Sequence, residues 1–330
     1  MQLEVSLGLW QDRPADEVIT TAALADKLGY RAVWIGEMAT WDAFALGAHI
    51  GATFRSSSLV LGPFAVAVRD PMMIAMGAAS VAAITGRPVE VALGTSSTVV
   101  VEGWHGRDRS RSGQALEESA RAVRALLDGA KADVDGHVVR TQGYRLRLPA
   151  PRSPLVVAAF GPRALEVAAT HADRLVLNLV DPTLAGELVA AFERACERIG
   201  RPRPRVALWA AAAVDPGAAS VDQLRRSVVG YLAAPGYAEM FTRAGFGALC
   251  EYAATRPHPA DLLARVPAEL NEVVGLVGDA VAVEARMRSY LAAGVDDLVV
   301  VPSATDDDPA GAHTLEVLVD IAGRWAADGR

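Results

Sequence analysis

The stretch Lys27-Leu-Gly-Tyr-Arg-Ala-Val-Trp-Ile-Gly-Glu37 contains the end of a helix, a buried strand and a carboxylate. Apolar residues recur at helical spacing from Asp16 to Leu28, and the next residue, Gly29, is of a type that commonly ends a helix. The apolar run from Ala32 to Ile35 is typical of a parallel strand that is covered on both faces. Glu37 follows this strand, at the end where parallel barrels carry their chemistry, so we expect it to face a ligand.

The same alternation of buried strands and helices continues along the chain. It predicts a parallel sheet, and eight repeats predict that the sheet closes into a (β/α)8 TIM barrel. The chain has 330 residues, more than the roughly 250 of a minimal barrel, so we expect one domain, 1–330, with two insertions. The strands are expected at 3–9, 32–36, 58–66, 89–94, 154–159, 173–178, 205–214 and 297–301.

Two segments form the predicted insertions. Residues 129–153 precede the fifth strand, and Asp135-Gly136 between apolar residues indicates a hairpin with a tight turn. Residues 234–276 lie between the seventh and eighth strands, and their Pro and Gly residues separate short helical pieces. This second segment is typical of a lid over an active site. Peripheral packing or a dimer contact is the alternative for both insertions.

The composition excludes several classes of function. A net charge of -7 and a pI near 5.5 argue against nucleic-acid binding, which needs a basic surface. The longest apolar run, 206–214, is too short to span a membrane. The two cysteines, Cys196 and Cys250, show no metal or redox spacing, and no signal-peptide pattern starts the chain, so we expect a cytoplasmic protein. The histidines show no metal-ligand spacing, and no metal is expected.

Several short segments carry a family resemblance when they are taken together. They are Leu28 to Glu37, Leu61 to Val66, Arg69-Asp-Pro71, Gly86-Arg87, Ala92 to Thr95, Ala158 to Gly161, Ala172 to Asn178 and Gly294-Val-Asp. In this order and at barrel spacing, they resemble the bacterial luciferase-like superfamily of flavin- and deazaflavin-dependent oxidoreductases. Within that superfamily, the chain resembles the coenzyme F420-dependent branch common in actinobacteria.

The resemblance implies an oxidoreductase in which coenzyme F420 exchanges hydride with a small organic substrate. It also implies a homodimer that forms through early barrel helices. An FMN-dependent monooxygenase is the alternative function. A third hypothesis is a non-catalytic protein that binds a flavin or deazaflavin.

The resemblance also implies where the cofactor lies. Relatives carry a strained non-proline cis peptide that bulges against the cofactor ring, and the corresponding bond here is Phe64-Ala65. An ordinary trans strand end is the alternative. They bind the cofactor phosphate at the turn Ala159-Phe160-Gly161 and at the helix that follows it, where Arg163 lies in the first turn. A helix start suits a phosphate because its amides are exposed and its dipole is positive.

Polar residues after two other strands complete the expected cofactor site. Thr95, Ser96 and Ser97 follow the fourth strand, and Asn178 ends the sixth; turn formation or helix capping is the alternative for each. An arginine group after the fourth strand could attract the anionic cofactor tail or could simply be solvated. It consists of Arg107, Arg109 and Arg111.

Three residues are the catalytic candidates: Glu37, Trp41 and His105. Many relatives have an acidic residue followed by His after the second strand, whereas this chain has Glu37-Met38, and a thioether cannot transfer protons. Glu37 can replace that His if an apolar pocket raises its pKa, and an electrostatic role is the alternative. Trp41 could wall a planar ring, and His105 is the one histidine on the predicted mouth of the barrel.

Overall fold

The computed structural model describes residues 1–37 and 39–327 of the chain. Its strands are β1 (Gln2–Ser6), β2 (Ala32–Ile35), β3 (Ser58–Ala65), β4 (Val89–Gly94), β5 (Ala132–Asp135), β6 (Arg140–Tyr144), β7 (Leu155–Ala158), β8 (Arg174–Asn178), β9 (Arg205–Val214), β10 (Leu276–Gly278) and β11 (Asp297–Pro302).

The main sheet is the closed parallel barrel of a (β/α)8 fold, which confirms the predicted fold class. Its eight strands follow the order β1, β2, β3, β4, β7, β8, β9 and β11, and β10 pairs with β9. Every residue of β2 and of β4 is buried. The continuous apolar runs in the sequence therefore correspond to strands that are covered on both faces.

Helices follow the barrel strands. They are α1 (Glu17–Leu28), α2 (Ala43–Gly51), α3 (Pro71–Thr85), α4 (Ser112–Leu127), α5 (Pro162–His171), α6 (Pro182–Arg198), α7 (Ala218–Val228), α8 (Tyr237–Phe241), α9 (Gly247–Ala254), α10 (Pro259–Arg265), α11 (Glu269–Val274), α12 (Ala280–Ala292) and α13 (Ala312–Ala327). Gly29 ends α1 with a φ of 84°, and its N–H donates hydrogen bonds to the carbonyls of Ala25 and Asp26. This left-handed conformation is unfavourable for residues that have a Cβ atom, which explains the glycine at this position.

The described residues fall into two compact units, and the first comprises Met1–Tyr30, Leu177–Val189 and Leu208–Arg330. In this unit β1 and β11 pair in parallel, with Gln2 opposite Asp297. Helices α8–α11 of the 234–276 segment belong to it and share a small apolar core around Phe241, which is fully buried. The helices of this segment therefore pack around a shared apolar core.

The second unit comprises Arg31–Val176 and Ala190–Ala207 and contains β2, β3, β4 and β7. The register between β3 and β4 shifts between Leu61 and Phe64. The cis peptide bond of this strand joins Gly62 to Pro63. The expected position, Phe64-Ala65, was therefore wrong.

A hairpin formed by β5 and β6 is attached to α4 by one buried carboxylate. Glu118 accepts hydrogen bonds from the backbone N–H groups of His137, Val138 and Val139 at 3.0, 2.9 and 2.7 Å, and from the amide of Gln114 at 2.9 Å. Burial alone would raise the pKa of Glu118, but these four donors hold it below its ordinary value. The ionised carboxylate thus fixes the tip of the hairpin.

Replacing this carboxylate by an amide should destabilise the protein in a pH-dependent way. We expect Glu118→Gln to lower the free energy of unfolding at pH 7 by about 2 kcal/mol, since hydrogen bonds to a charged group contribute about 1.5–3 kcal/mol. The folded-state pKa is depressed, so the stabilisation is present above the unfolded pKa of about 4.3 and is lost as the pH falls through the folded value. Urea unfolding at several pH values measures this.

The exposed Glu102→Gln is the matched control for Glu118→Gln, and it should change little at any pH. A Glu118→Gln cost that is the same at acid and neutral pH would contradict the role of the charge.

Candidate active site

A cluster of charged side chains lies at the carboxyl end of β2. Arg69 donates from Nε to Glu37 Oε2 at 3.0 Å, and its Nη2 donates to Glu37 Oε1. The same Nη2 donates to Asp42 Oδ2 at 2.5 Å, so one guanidinium bridges two carboxylates. Hydrogen bonding to Glu37 raises the pKa of Arg69 further above its ordinary value. The cation in this cluster is therefore permanent.

These contacts bear on the role predicted for Glu37. Its Oε1 also accepts from the N–H of Ala43 at 3.3 Å, and its side chain is 22% exposed. The surroundings of Glu37 are thus ionic, whereas proton transfer by Glu37 was expected to need an apolar pocket. A carboxylate held in a guanidinium fork acts through its charge and position. The geometry favours the electrostatic role over the proton-transfer role.

Arg69 also anchors the residue that follows Trp41. Its carboxylate partner Asp42 comes directly after Trp41 in the chain. Asp42 in turn caps α2 by accepting from the N–H groups of Phe44 and Ala45 at 3.0 and 2.9 Å. The Arg69 guanidinium lies 5.3 Å from the centre of the Phe44 ring. Trp41, which is half-buried, therefore precedes an anchored residue.

The end of β3 supplies one wall beside this cluster. The Phe64 ring is fully buried and lies 4.9 Å from the Phe44 ring, so it packs in the core. Ala65 is half-buried, and its carbonyl accepts from the N–H groups of Val68 and Arg69 at 2.8 and 2.9 Å. This turn brings Arg69 to Glu37. Of the two residues expected at the cofactor, only Ala65 leaves its side chain partly exposed.

The loop after β4 is organised by Arg109. Its Nε donates to the Ser96 carbonyl at 3.0 Å and its Nη2 to Thr95 Oγ1 at 3.4 Å. Ser97 Oγ accepts from the N–H of Val100 at 3.3 Å and so caps the helical turn 99–104. Capping, the alternative for this segment, thus applies to Ser97. Thr95 is half-buried and lines a cleft.

His105 follows the helical turn 99–104 and is exposed, as is the neighbouring Trp104 at 51%. No hydrogen bond or ion pair of the described residues involves its imidazole. Its catalytic role remains a prediction.

The start of α5 carries four of the expected cofactor residues. Ala159 is buried, Phe160 is half-buried, and Gly161 occupies the N-cap position without a side-chain cap. A Cβ at Gly161 would meet no atom within 4 Å, so there is open space beside the start of α5. Arg163, however, pairs with Glu117 of α4 and with Glu166. Its charge is thus neutralised by two carboxylates.

Asn178 belongs to the first unit. It is half-buried at the end of β8, and its amide donates to the Tyr237 hydroxyl at 3.2 Å. The Tyr237 ring lies edge-on to Tyr231 with centroids 4.7 Å apart, and burial raises the pKa of Tyr237 above its ordinary value. The 234–276 segment therefore supplies a partner to one of the expected cofactor residues.

The role of Arg69 was not predicted from the sequence, although an arginine beside a helix start after a barrel strand is a signal that could have indicated it. In the part of the chain that the structure describes, no group of three or more His, Cys, Asp or Glu side chains could hold a metal ion. Every described helix is too short or too polar to cross a lipid bilayer.

The family model for luciferase-like monooxygenases matches residues 3–297. The chain therefore belongs to the luciferase-like monooxygenase family, and it is an enzyme.

Three proteins illustrate what the chain is similar to. A Mycobacterium tuberculosis protein, provisionally named a coenzyme F420-dependent oxidoreductase, is 25% identical over 93% of this chain and 96% of its own length. The coenzyme F420-dependent tetrahydromethanopterin reductase from Methanopyrus kandleri has a TM-score of 0.79 at 16% identity, covering 97% and 98% of the two chains. The oxygenating constituent of 3,6-diketocamphane monooxygenase from Pseudomonas putida, solved with FMN, has a TM-score of 0.70 at 16% identity, covering 97% and 96%.

The contacts of Arg69 with Glu37 and Asp42 predict how a substitution at Arg69 affects the start of α2. We expect Arg69→Gln to lower the free energy of unfolding by about 1–3 kcal/mol, because it removes charge-assisted bonds from the half-buried Glu37 and the exposed Asp42. Arg69→Lys keeps the charge without the fork and should recover part of the loss. Hydrogen exchange at Phe44 and Ala45 should become faster in both variants, because Asp42 loses its anchor.

Arg107→Gln is the control for these variants, because Arg107 is exposed and its guanidinium makes no hydrogen bond or ion pair among the described residues. Unchanged exchange at Phe44 and Ala45 in Arg69→Gln would show that Arg69 does not fix this segment.

Proposed function

We propose that this enzyme is an F420-dependent oxidoreductase that transfers hydride between the deazaflavin and a small organic substrate. The observation that carries the proposal is the uncapped start of α5 at Gly161, where exposed amides and open space can receive a phosphate. The similarity to F420-dependent relatives supports the choice of cofactor.

The residues at the carboxyl ends of β4 and β7 fit an anionic cofactor. α5 begins without a side-chain cap, so its partial positive charge is available to a phosphate. Arg109 holds Ser96 and Thr95 in place on the neighbouring loop and adds a positive charge. Thr95, Ser96, Ala159, Phe160 and Gly161 are therefore the residues that we propose for the phosphate and its chain.

The proposal gives the charged cluster at β2 a positioning role. When bound, the cofactor supplies the hydride chemistry, and the protein supplies position and electrostatics. Arg69 fixes Glu37 and the residue that follows Trp41, and we propose that Trp41 walls the ring. Ala65 at the end of β3 offers a small side chain where the planar ring would approach. Asn178 is proposed to contact the cofactor while Tyr237 holds its amide.

The FMN-dependent monooxygenase remains the second candidate, because a similar structure, that of the Pseudomonas putida protein, contains FMN. A non-catalytic carrier is the third, since Glu37 is engaged in an ion pair with Arg69. The two free, buried thiols, Cys196 and Cys250, support the cytoplasm as its compartment.

Titration with F420 and with FMN tests the proposal directly. We expect F420 to bind with a micromolar or lower Kd and FMN to bind more weakly. Gly161→Asp and Gly161→Ser form a matched pair, because both side chains can cap α5 and only aspartate adds a negative charge at the phosphate. We expect Gly161→Asp to lower the affinity by about tenfold more than Gly161→Ser, as charge repulsion at a helix start requires.

Three results would count against this assignment. F420 that fails to bind at micromolar concentration would end it. Preferential FMN binding with oxygen consumption by the reduced flavin would favour the monooxygenase. Tight F420 binding without turnover on a broad substrate panel would favour the carrier.

We also propose a homodimer through α3. This helix is apolar around its whole circumference, and Met73, Met76 and Ile84 are 45%, 38% and 65% exposed. A helix without a polar face is normally covered on all sides, so a second copy is the proposed cover.

A charge on this face should separate the proposed dimer. We expect Met76→Glu to give a monomer at concentrations where the wild-type protein is dimeric, because a carboxylate would be desolvated in the interface. Light scattering at matched concentrations measures the mass. Val281→Glu on α12, where Val281 is 79% exposed, is the control and should stay dimeric. A wild-type protein that is monomeric at high concentration would contradict the proposal.

A further inference from the structure

The loop after β1 places a tryptophan at the carboxyl end of the barrel. Trp10 comes four residues after the end of β1, in the first unit, and its side chain is half-buried. By contrast, Trp34 and Trp325 are 0% and 7% exposed and belong to the core. The carboxyl ends of the strands are where barrel enzymes carry their active sites. Trp10 therefore differs from a core tryptophan in both its position and its exposure.

The backbone beside Trp10 is strained. Leu9 has a φ of 47°, a left-handed conformation that is unfavourable for a bulky side chain. Leu179 and Asp215, with φ values of 56° and 49°, directly follow β8 and β9 in the same unit. Strained residues of this kind persist where surrounding contacts enforce them, and they cluster at functional sites. The strain at Leu9 therefore indicates that the loop carrying Trp10 is a functional segment.

The indole of Trp10 is fixed from two sides. Its Nε1 donates to the carbonyl of Pro302, the last residue of β11, at 3.0 Å. A Cβ atom on Gly8 would lie 2.3 Å from Nε1 and 2.5 Å from Cε2, so the ring packs directly against the glycine backbone. Only a residue without a side chain permits this close approach. Because the indole N–H is already bonded, the surface that Trp10 offers to a ligand is its apolar ring.

A buried amide holds both segments that carry these contacts. Gln223 is 2% exposed, and its Nε2 donates to Asp12 at 3.1 Å and to the Ala304 carbonyl at 2.7 Å. Its Oε1 accepts from the Ser303 hydroxyl at 2.9 Å and from the Ala304 N–H at 3.0 Å. Asp12 lies two residues after Trp10, and Ser303 and Ala304 directly follow β11. Such preorganisation lowers the entropic cost of binding a ligand to the ring.

Both charged side chains of the loop 7–13 have partners within the protein. Asp12 accepts from Arg226 Nη2 at 2.7 Å. Arg13 pairs with Glu17 at 2.7 Å and with Asp306 at 2.5 Å. A ligand that contacts Trp10 therefore meets a neutral aromatic surface beside charges that are already paired. Such a surface favours an uncharged, apolar group.

We propose that Trp10 is a specificity-determining residue whose ring contacts an uncharged, ring-shaped hydrocarbon part of the substrate. A planar indole makes its largest contact with a group that is itself flat or cyclic. The proposal rests on the proposed function in assigning this contact to the reacting substrate. The contact itself involves residues of the first unit alone.

The indole N–H resonances of the protein test this contact by nuclear magnetic resonance. Trp10→Phe identifies the Trp10 resonance, and cyclohexanone is titrated into the wild-type protein with and without F420. We expect a saturable shift of the Trp10 resonance at millimolar concentration in at least one of these two states. Trp104 is 51% exposed, and its resonance should show no saturable shift, so it reports non-specific association.

Gly8→Ala tests the position of the ring without changing Trp10. The added Cβ would displace the indole, so we expect the Kd for cyclohexanone to rise by about tenfold, as in Trp10→Ala. Gly323→Ala on α13 is the matched control, because a Cβ there would meet no atom within 4 Å. We expect this control to change the Kd by less than about twofold.

The outcomes distinguish this inference from the proposed function. The absence of a saturable Trp10 shift in both states would overturn the inference. Tighter binding of tetramethylammonium than of cyclohexanone would overturn the uncharged class, because cations also bind the indole face. Equal losses in Gly8→Ala and Gly323→Ala would overturn the role of the ring position. A saturable Trp10 shift in a protein that does not bind F420 would support this inference and end the F420 assignment.

Discussion

The candidate active site depends on the Arg69 guanidinium more than on any other group. Arg69 lies in the turn after β3, and its carboxylate partners lie after β2 and at the start of α2. Two connections of the second unit, between β2 and α2 and between β3 and α3, are therefore joined by one planar cation. Charge-assisted bonds of this kind are about twice as strong as neutral ones and fix orientation as well as distance. The stacking of Phe44 on Phe64 then links this polar bridge to the barrel core.

Helix α4 organises the other side of the same unit. Its two consecutive glutamates point to different partners: Glu117 pairs with Arg163 of α5, and Glu118 binds the hairpin tip. Both contacts are made by carboxylates in the middle of α4. The start of α4 has no side-chain cap, and Arg111 beside it interacts electrostatically with Asp108. The body of α4 thus anchors both α5 and the hairpin within the second unit.

The barrel could be predicted from the sequence because the patterns that indicate it lie within short segments of the chain. Buried parallel strands read as short apolar runs, and Gly29 and Pro162 mark a helix end and a helix start within their own segments. The partners of charged residues are not local. Glu117 lies 46 residues from Arg163, and Glu37 lies 32 residues from Arg69. Such pairs could be assigned only once the fold had brought their helices and loops together.

The same limit explains one unforeseen contact and one error in the predicted site. The resemblance placed Arg163 at the cofactor, which stays a prediction, and nothing in its own segment indicated that it would pair with Glu117. A non-proline cis bond was expected at Phe64-Ala65, whereas the cis bond of this strand precedes a proline, at Gly62-Pro63. A resemblance that is not aligned residue by residue can identify the end of a strand and still assign the wrong conformation to a particular peptide bond there.

The ionic partner of Glu37 also limits the chemistry that the proposed site can perform. A general acid or base must be free to gain and lose a proton at the reacting atom. Glu37 is held by Arg69 and by the N–H of Ala43, and the next residue in the sequence, Met38, has no proton to transfer. Reactions that need a protein acid or base at this position are therefore disfavoured. Within the proposed function, substrates whose proton can come from solvent fit this chain best, since the cluster then acts through charge and position alone.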